Sequence, residues 1–185
     1  MPDFAKLLIQ RTPSGIVTLT FNRPEVRNAL DRETQSLFLD TMHSLVKDSS
    51  GVRVVIITGA GDKAFCAGGD MVELAGLTSE SDGERLASIM GEALDLLENA
   101  PFPSIAAING QAIGGGTEIA LACDMRIMSE KATFGMVQLS LGLTPGWGAG
   151  QRLLRLAGYS RALEMLLRAE SIPADDLHDY VPVNA

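Results

Sequence analysis

Apolar and polar positions along the chain alternate between short β-type runs and longer amphipathic stretches. Residues 6–11 and 16–21 read as two strands joined by a turn at Pro13, Ser14 and Gly15. Asn22-Arg23-Pro24 ends the second strand. Asp31 is placed to N-cap a helix carrying Leu37, Phe38, Met42, Leu45 and Val46 on one face, with Gly51 as its stop. His43 lies within that helix, has no partner nearby in sequence, and reads as structural. Residues 52–58 are a dense β-branched run, expected as a buried strand, and 59–62 a turn.

The alternation continues downstream. Residues 64–66 lead into Gly68 and Gly69 and then into a helix-like start. Ser81 and Glu84 have capping-box spacing and open a helix with Leu86, Ile89, Met90, Ala93, Leu94 and Leu97 at i, i+3, i+4 intervals. Pro101 and Pro103 close it and lead into a buried strand over 104–108. Residues 119–123 begin a buried helix, and 125–128 and 132–134 are two short strands. Gly142, Pro145, Gly146, Gly148 and Gly150 crowd a loop before a helix starting near Gln151, and Ser160 caps a further helix over 162–167. Strands alternating with helices, with no internal repeat or linker, predict one α/β domain with parallel strand pairing.

Composition narrows the class of function. With 185 residues the chain can bury a substantial core. Its net charge of −8 argues against nucleic acid or an anionic membrane as partner. No apolar run reaches spanning length, and MPDFAKLLIQ has the features of neither a secretory signal nor a transit peptide. Cys66 and Cys123 show no metal-ligand spacing and no disulfide framework. They read as reduced thiols, which places the protein in the cytoplasm. Cys66 has no visible group to lower its pKa and is assigned to wall packing. No metal site is expected.

The candidate chemistry centres on NGQAIGGGTEIALACD, residues 109–124. A strand, a glycine turn at Gly114, Gly115 and Gly116, and a helix start aim free backbone N–H groups at one point. The positive end of the helix dipole adds to them, and the point suits an anion or a developing negative charge. Glu118 sits in the first turn of that apolar helix. It reads either as a dipole-favoured acid or as a carboxylate lifted by burial into general acid/base range, and the adjacent glycines favour the second. Gly68-Gly69 repeats the strand-to-helix glycine turn. A dinucleotide site is not indicated, because the glycines are not spaced G-x-G-x-x-G and no P-loop Lys-Ser/Thr follows.

Four segments together resemble the crotonase superfamily, also called the enoyl-CoA hydratase/isomerase family. They are NRPEVRNAL (22–30), AFCAGGDM (64–71), NGQAIGGGTEIALACD (109–124) and FGMVQLSLGLTPGWGAGQRL (134–153), in the family's order and spacing. The resemblance covers about residues 5–175. It implies a crotonase-like spiral of ββα units (the ClpP/crotonase fold), an acyl-CoA-binding domain over 1–175, and an acyl-CoA thioester substrate. No separate cofactor is implied, since coenzyme A is part of that substrate. The resemblance places an oxyanion hole at the amides of Gly69 and Gly115 and a catalytic glutamate at Glu118. Backbone around Ala67, Gly68, Asp70 and Met71 is implied to cradle the adenine end. Arg23 and Arg27 lie where the family's basic side chains meet the CoA phosphates; the bland alternative for each is a solvated surface charge.

Three departures qualify the resemblance. The family's second catalytic glutamate is Gln138 here, and an amide cannot supply a proton at neutral pH, so the second acid that eases hydration of an enoyl thioester is missing at this position. Trp147, after Pro145-Gly146, stands where the family usually has a small residue; it reads as a core aromatic or as a pocket wall that shortens and dries the acyl site. Gln138 with Trp147 also resembles the decarboxylases of ethylmalonyl- or methylmalonyl-CoA, which need an oxyanion hole and an apolar site but no base. Finally, residues 176–185 form an atypical tail, with His178 facing solvent, where family members continue into C-terminal helices. That shortening weakens the implied homotrimer or hexamer, and it raises a third reading, a shortened paralogue that binds acyl-CoA or a full-length subunit without catalysis.

Overall fold

The computed structural model describes residues 5–184 and distributes its strands between two sheets. Residues 1–4 of the N-terminal stretch read above, and Ala185 of the tail, lie outside the described residues. The larger sheet runs β1 (Leu7–Arg11), β2 (Ile16–Phe21), β3 (Val54–Gly59), β5 (Ser104–Ile108), β7 (Met125–Met128). Its first pair is antiparallel and the rest are parallel. The smaller sheet runs β4 (Ala64–Cys66), β6 (Gln111–Ile113), β8 (Thr133–Gly135), β9 (Ser171–Pro173), with β9 alone antiparallel.

Successive strands therefore go to opposite sheets: β3 then β4, β5 then β6, β7 then β8. Each pair is followed by helix. The first leads into α2 (Met71–Leu74) and α3 (Glu80–Glu98), the second into α4 (Gly115–Ala122). The third leads through a 3-10 turn over Val137–Leu141 into α5 (Ala149–Ala157). These are the ββα units expected from the sequence. The remaining helices are α1 (Arg32–Lys47), α6 (Tyr159–Arg168) and α7 (Ala174–Leu177).

The core fills the space between the larger sheet and the helices α1 and α3. Alternate residues Val17, Leu19 and Phe21 of β2 and Val55 and Ile57 of β3 point inward, as period-two strands require. They meet Phe38, Met42 and Leu45 of α1 and Met90, Leu94 and Leu97 of α3. Phe21 packs against Phe38 with the rings tilted by 57° and 5.6 Å between centroids, and edge-on to Phe65 at 6.4 Å. Burying each such side chain contributes about 1.5–3 kcal/mol. Asp31 caps α1 as expected, its carboxylate accepting from the Thr34 N–H at 2.9 Å.

Several expectations shift. Leu37 points outward, and α1 ends at Lys47, so Gly51 belongs to the turn beyond it. α3 starts two residues early: Ser79, not Ser81, is its N-cap, which places both Glu80 and Asp82 in the dipole-favoured first turn. α5 starts at Ala149, and α6 is capped by Gly158 rather than Ser160. Gly158 closes α5 by donating to Leu154 and opens α6 by accepting from Ala162, leaving no residue for a hydroxyl cap. His43 has a partner, Glu92 of α3 at 2.8 Å, with both side chains half-exposed.

Residues 176–184 pack onto the same unit. Leu177 and Val181 are buried, and Asn184 exchanges hydrogen bonds with Arg126 on β7, the edge strand of the larger sheet. Arg126 also donates to the Pro182 carbonyl at 2.9 Å. His178 is exposed, as expected.

Candidate active site

Strand register decides what the glycine turns do. β4 and β6 are parallel neighbours, with Cys66 opposite Ala112. Three residues past each of those positions come Gly69 and Gly115. The two turns meet: a Cβ added to Gly68 would lie 2.7 Å from the Gly115 nitrogen. Gly68, at φ +88°, is therefore required both by its conformation and by this approach.

The direction of each N–H follows from the trans peptide, in which N–H and C=O point opposite ways. The Gly68 carbonyl accepts from Leu30 N at 2.8 Å, and Asp70 N donates back to Leu30 O at 3.0 Å. The Gly69 N–H is turned away from that bridge. The Gly114 carbonyl points into α4, accepting from Glu118 N and Thr117 Oγ1, so the Gly115 N–H points out of the helix start. Among the described residues neither N–H donates to a protein acceptor. Gly69 and Gly115 are part-exposed, whereas Gly68, Gly114 and Gly116 are buried. Two N–H donors without a protein partner remain, on part-exposed residues of two turns that meet.

The three consecutive glycines prove to have three different causes. Gly114 alone lies outside the helix, at φ +56°, and follows the short strand β6 that periodicity did not reveal. Gly115 lies under the Trp147 ring: an added Cβ would sit 2.9 Å from Cε3 and closer still to two further ring carbons. Gly116 lets α4 press against the Cys66 carbonyl of β4.

Glu118, one turn into α4, is 3% exposed. Oε2 accepts from Trp147 N at 2.7 Å and Ala149 N at 3.1 Å. Oε1 accepts from Gln138 Nε2 at 3.2 Å and Gly146 N at 3.3 Å. A carboxylate offers about four lone-pair sites, so the loop over 146–149 and Gln138 occupy all of them. Burial pushes the Glu118 carboxyl above the ordinary value of 4.5, and the donors from Ala149, Trp147, Gln138 and Gly146 pull the other way. Gln138, 9% exposed, leaves its Oε1 buried without a partner. Trp147 is buried, which makes it both a core aromatic and the wall above Gly115.

The remaining sequence candidates form the seam beside Gly69. Ala67 N donates to Arg27 O, and Asp70 N-caps α2 while accepting from Arg23 Nη1 at 3.0 Å. Arg23 also donates to Ala29 O and lies 3.4 Å from Asp31, so it is a pinned, mostly buried cation rather than a solvated one. Arg27 is exposed and reaches Gln111 at 3.4 Å, and Met71 faces solvent. Burial pushes the Cys66 thiol up to about 12, in keeping with packing. Sequence reasoning missed Arg152, buried beneath the loop, and Asn28, whose amide donates to the Ala60 and Ala64 carbonyls and holds the β3–β4 turn. Arg152 sits within an amphipathic helix, and nothing local distinguishes it.

The sequence model for enoyl-CoA hydratase/isomerase matches residues 11–182. The chain belongs to this family. A short-chain-enoyl-CoA hydratase of Clostridium acetobutylicum is 40% identical over 161 residues, covering 87% of this chain and 61% of that protein. An ethylmalonyl-CoA decarboxylase of Gallus gallus is 35% identical over 176 residues, covering 92% of this chain and 57% of that one. The crystal structure of an enoyl-CoA hydratase from Bacillus anthracis superposes with a TM-score of 0.91 at 37% identity, covering 97% of this chain and 69% of that one. The fold is thus the crotonase fold, and this family member spans about three fifths of those two relatives' length. Among the described residues no helix is long and apolar enough to cross a membrane.

Proposed function

We propose that the chain processes acyl-CoA thioesters by the hydratase/isomerase type of chemistry, with residues 1–175 as the acyl-CoA-binding domain. The observation that carries the proposal is the pair of adjacent, unpartnered N–H groups of Gly69 and Gly115, with buried Glu118 one helical turn beyond. The thioester oxygen accepts from both N–H groups. When a proton leaves the α-carbon, or a nucleophile adds at the β-carbon, the charge appears on that oxygen as an enolate. Fixed donors at that point stabilise it by about 3–4 kcal/mol each.

Glu118 is the proton carrier in this reading, and Oε1 is the oxygen that works. Its donors, at 3.2 and 3.3 Å, are longer than those on Oε2, at 2.7 and 3.1 Å, and are the easier to exchange. Gln138 serves both protonation states. Its Nε2 donates to the carboxylate, and its free Oε1 can accept from the protonated acid after an amide flip. Incubation with crotonyl-CoA and with a 3-enoyl-CoA, followed by enone absorbance, tests the proposal. Turnover no higher than that of a folded Glu118→Ala variant rejects it.

One pair of observations favours a second reading, decarboxylation of a short branched malonyl-type CoA. The Trp147 ring covers Gly115, and the neutral Gln138 replaces a carboxylate that would repel the substrate's own. The similarity to an ethylmalonyl-CoA decarboxylase supports this. In that reaction the bond from the α-carbon to the carboxylate breaks, CO₂ leaves, and its electron pair forms the enolate held by the two N–H groups. Lack of CO₂ release from ethylmalonyl- and methylmalonyl-CoA removes it.

A further inference from the structure

We propose that Arg152 is a positioning residue for the active-site loop, acting through the Trp147 peptide on Glu118. The inference deepens the reading of Glu118 as proton carrier and rests on it. Arg152 is buried on α5, and its guanidinium is shared between two elements. Toward α3 it donates from Nε to Glu98 at 2.8 Å and from Nη2 to Asp95 at 2.7 Å. Toward the loop it donates from Nη1 to the Trp147 carbonyl at 2.7 Å. Arg155 shares Glu98 at 2.9 Å, and Asp124 lines the same cleft.

Trp147 is thus gripped at three places. Its carbonyl is held by Arg152, its N–H lies 2.7 Å from Glu118 Oε2, and its ring rests on Gly115. Gly148 is required for this arrangement, since it adopts φ +90° and an added Cβ would come within 2.6 Å of Arg152 Nη1. A residue serving only to tie α5 to α3 would need Asp95 and Glu98 alone. The third bond, to the loop carbonyl, fixes the rotation of the peptide units on either side of Trp147. It thereby sets the height of the ring over one proposed oxyanion donor and the aim of the shortest donor on Glu118. Lysine cannot reproduce this, because one ammonium cannot span three acceptors in the plane of a fork.

Trp147 is the sole tryptophan, so its emission reports on the loop without a label. The variants are Arg152→Lys, Arg152→Met and the pair Asp95→Asn with Glu98→Gln, each checked for folding by circular dichroism. The outer pair leaves the Nη1 bond to the Trp147 carbonyl in place and so controls for the tie to α3: its emission and kcat should move less than those of either Arg152 variant. The expected result for the Arg152 variants is red-shifted, more readily quenched Trp147 emission and a kcat lowered about tenfold or more with KM little changed, since misplacement at the reacting centre acts on the transition state. The low-pH limb of kcat moves upward, because Glu118 loses a donor that favours its charged form. Carbon-13 titration of the Glu118 carboxyl should show the same upward movement. A folded Arg152→Lys with unchanged emission and unchanged Glu118 titration overturns the proposal, as does an unchanged kcat in an active enzyme. If the parent chain turns over none of the CoA esters, the functional reading fails, while emission and titration still decide the positioning role.

Discussion

Gly115→Ala separates the tertiary structure from local propensity, because the two predict opposite signs. Gly115 is the first residue of α4 and has no left-handed backbone angle, so helix propensity alone makes alanine stabilising, by at most the helix-interior value of about 0.8–1 kcal/mol. The packing says otherwise. The added methyl would stand 2.9 Å from Cε3 of Trp147 and nearer to two other ring atoms, against about 3.5–4.0 Å for unstrained carbon contact. The ring must retreat by roughly 1 Å or more, yet its backbone is tied to Glu118 on one side and Arg152 on the other. Overpacking of this kind costs about 1–3 kcal/mol, or a melting temperature lower by about 2–12 °C for a chain of this size. A displacement of that size at a reacting centre costs kcat/KM about 100-fold. Thermal melts, Trp147 emission and turnover of the active thioester measure the three effects. The variant Trp147→Ala loses stability through its own cavity, but in that background Gly115→Ala should cost nothing further, a coupling that a double-mutant cycle reads directly. A Gly115→Ala protein as stable as the parent, with unshifted emission and full turnover, would refute the contact between ring and glycine as the constraint.

Three other perturbations follow from the same geometry. Gln138→Glu places a second carboxyl beside Glu118, raising one of the pair's apparent pKa values and supplying a second acid; crotonyl-CoA hydration should rise about 10-fold or more, and no gain would remove Gln138 as the limit on hydration. Because Glu118 binds its proton more tightly folded than unfolded, its contribution to stability is full below the ordinary value of 4.5 and is lost as pH rises through the raised value; urea midpoints over that window should fall with pH in the parent and change less in Glu118→Gln. Cys66 and Cys123, both buried with thiols pushed up to about 12, should resist iodoacetamide at pH 8 until the protein is denatured, and rapid native labelling would contradict their packing.

Local chemistry announced some of this structure and concealed the rest for identifiable reasons. Asp31 signalled its cap because the cap is a contact between residues three apart, and β2, β3 and β5 signalled themselves because each run is long enough for its pattern to register. β6 has only three residues, and its ladder partners β4 and β8 lie far away in sequence, so no local period could reveal it. Ser79 and Ser81 begin overlapping capping boxes, and which one closes depends on the first turn each would create. The proposed oxyanion pair was suggested by two glycine turns and their resemblance to a family motif, but the register that brings those turns together, Cys66 opposite Ala112, is purely tertiary. The grip on Glu118 was the least legible. Its donors come from residues 138, 146, 147 and 149, and the side chain that steadies Trp147 belongs to an ordinary-looking helix.

The two unusual residues of the site, Gln138 and Trp147, act on the same side chain, and that bears on which reactions the fold can run. With a glutamate at 138, the pair of carboxyls could divide the work, one taking a proton while the other gives one. With the amide, the proposed mechanism leaves Glu118, among the described residues, to carry the proton alone, so whatever it accepts it must itself return. Shuttling between two carbons of one acyl chain satisfies that condition with one oxygen, Oε1, moving one proton. Hydration asks more, because the same oxygen must take a proton from water at the β-carbon and deliver it at the α-carbon. Loss of CO₂ asks less, since the enolate forms without any base and needs a single proton afterwards. The ratio of isomerisation to hydration in the parent chain, compared with that in Gln138→Glu, therefore measures how far the single carrier limits the site. If the Gln138→Glu variant leaves that ratio unchanged, the number of carboxyls does not limit the reaction, and access past the Trp147 ring becomes the restriction to test.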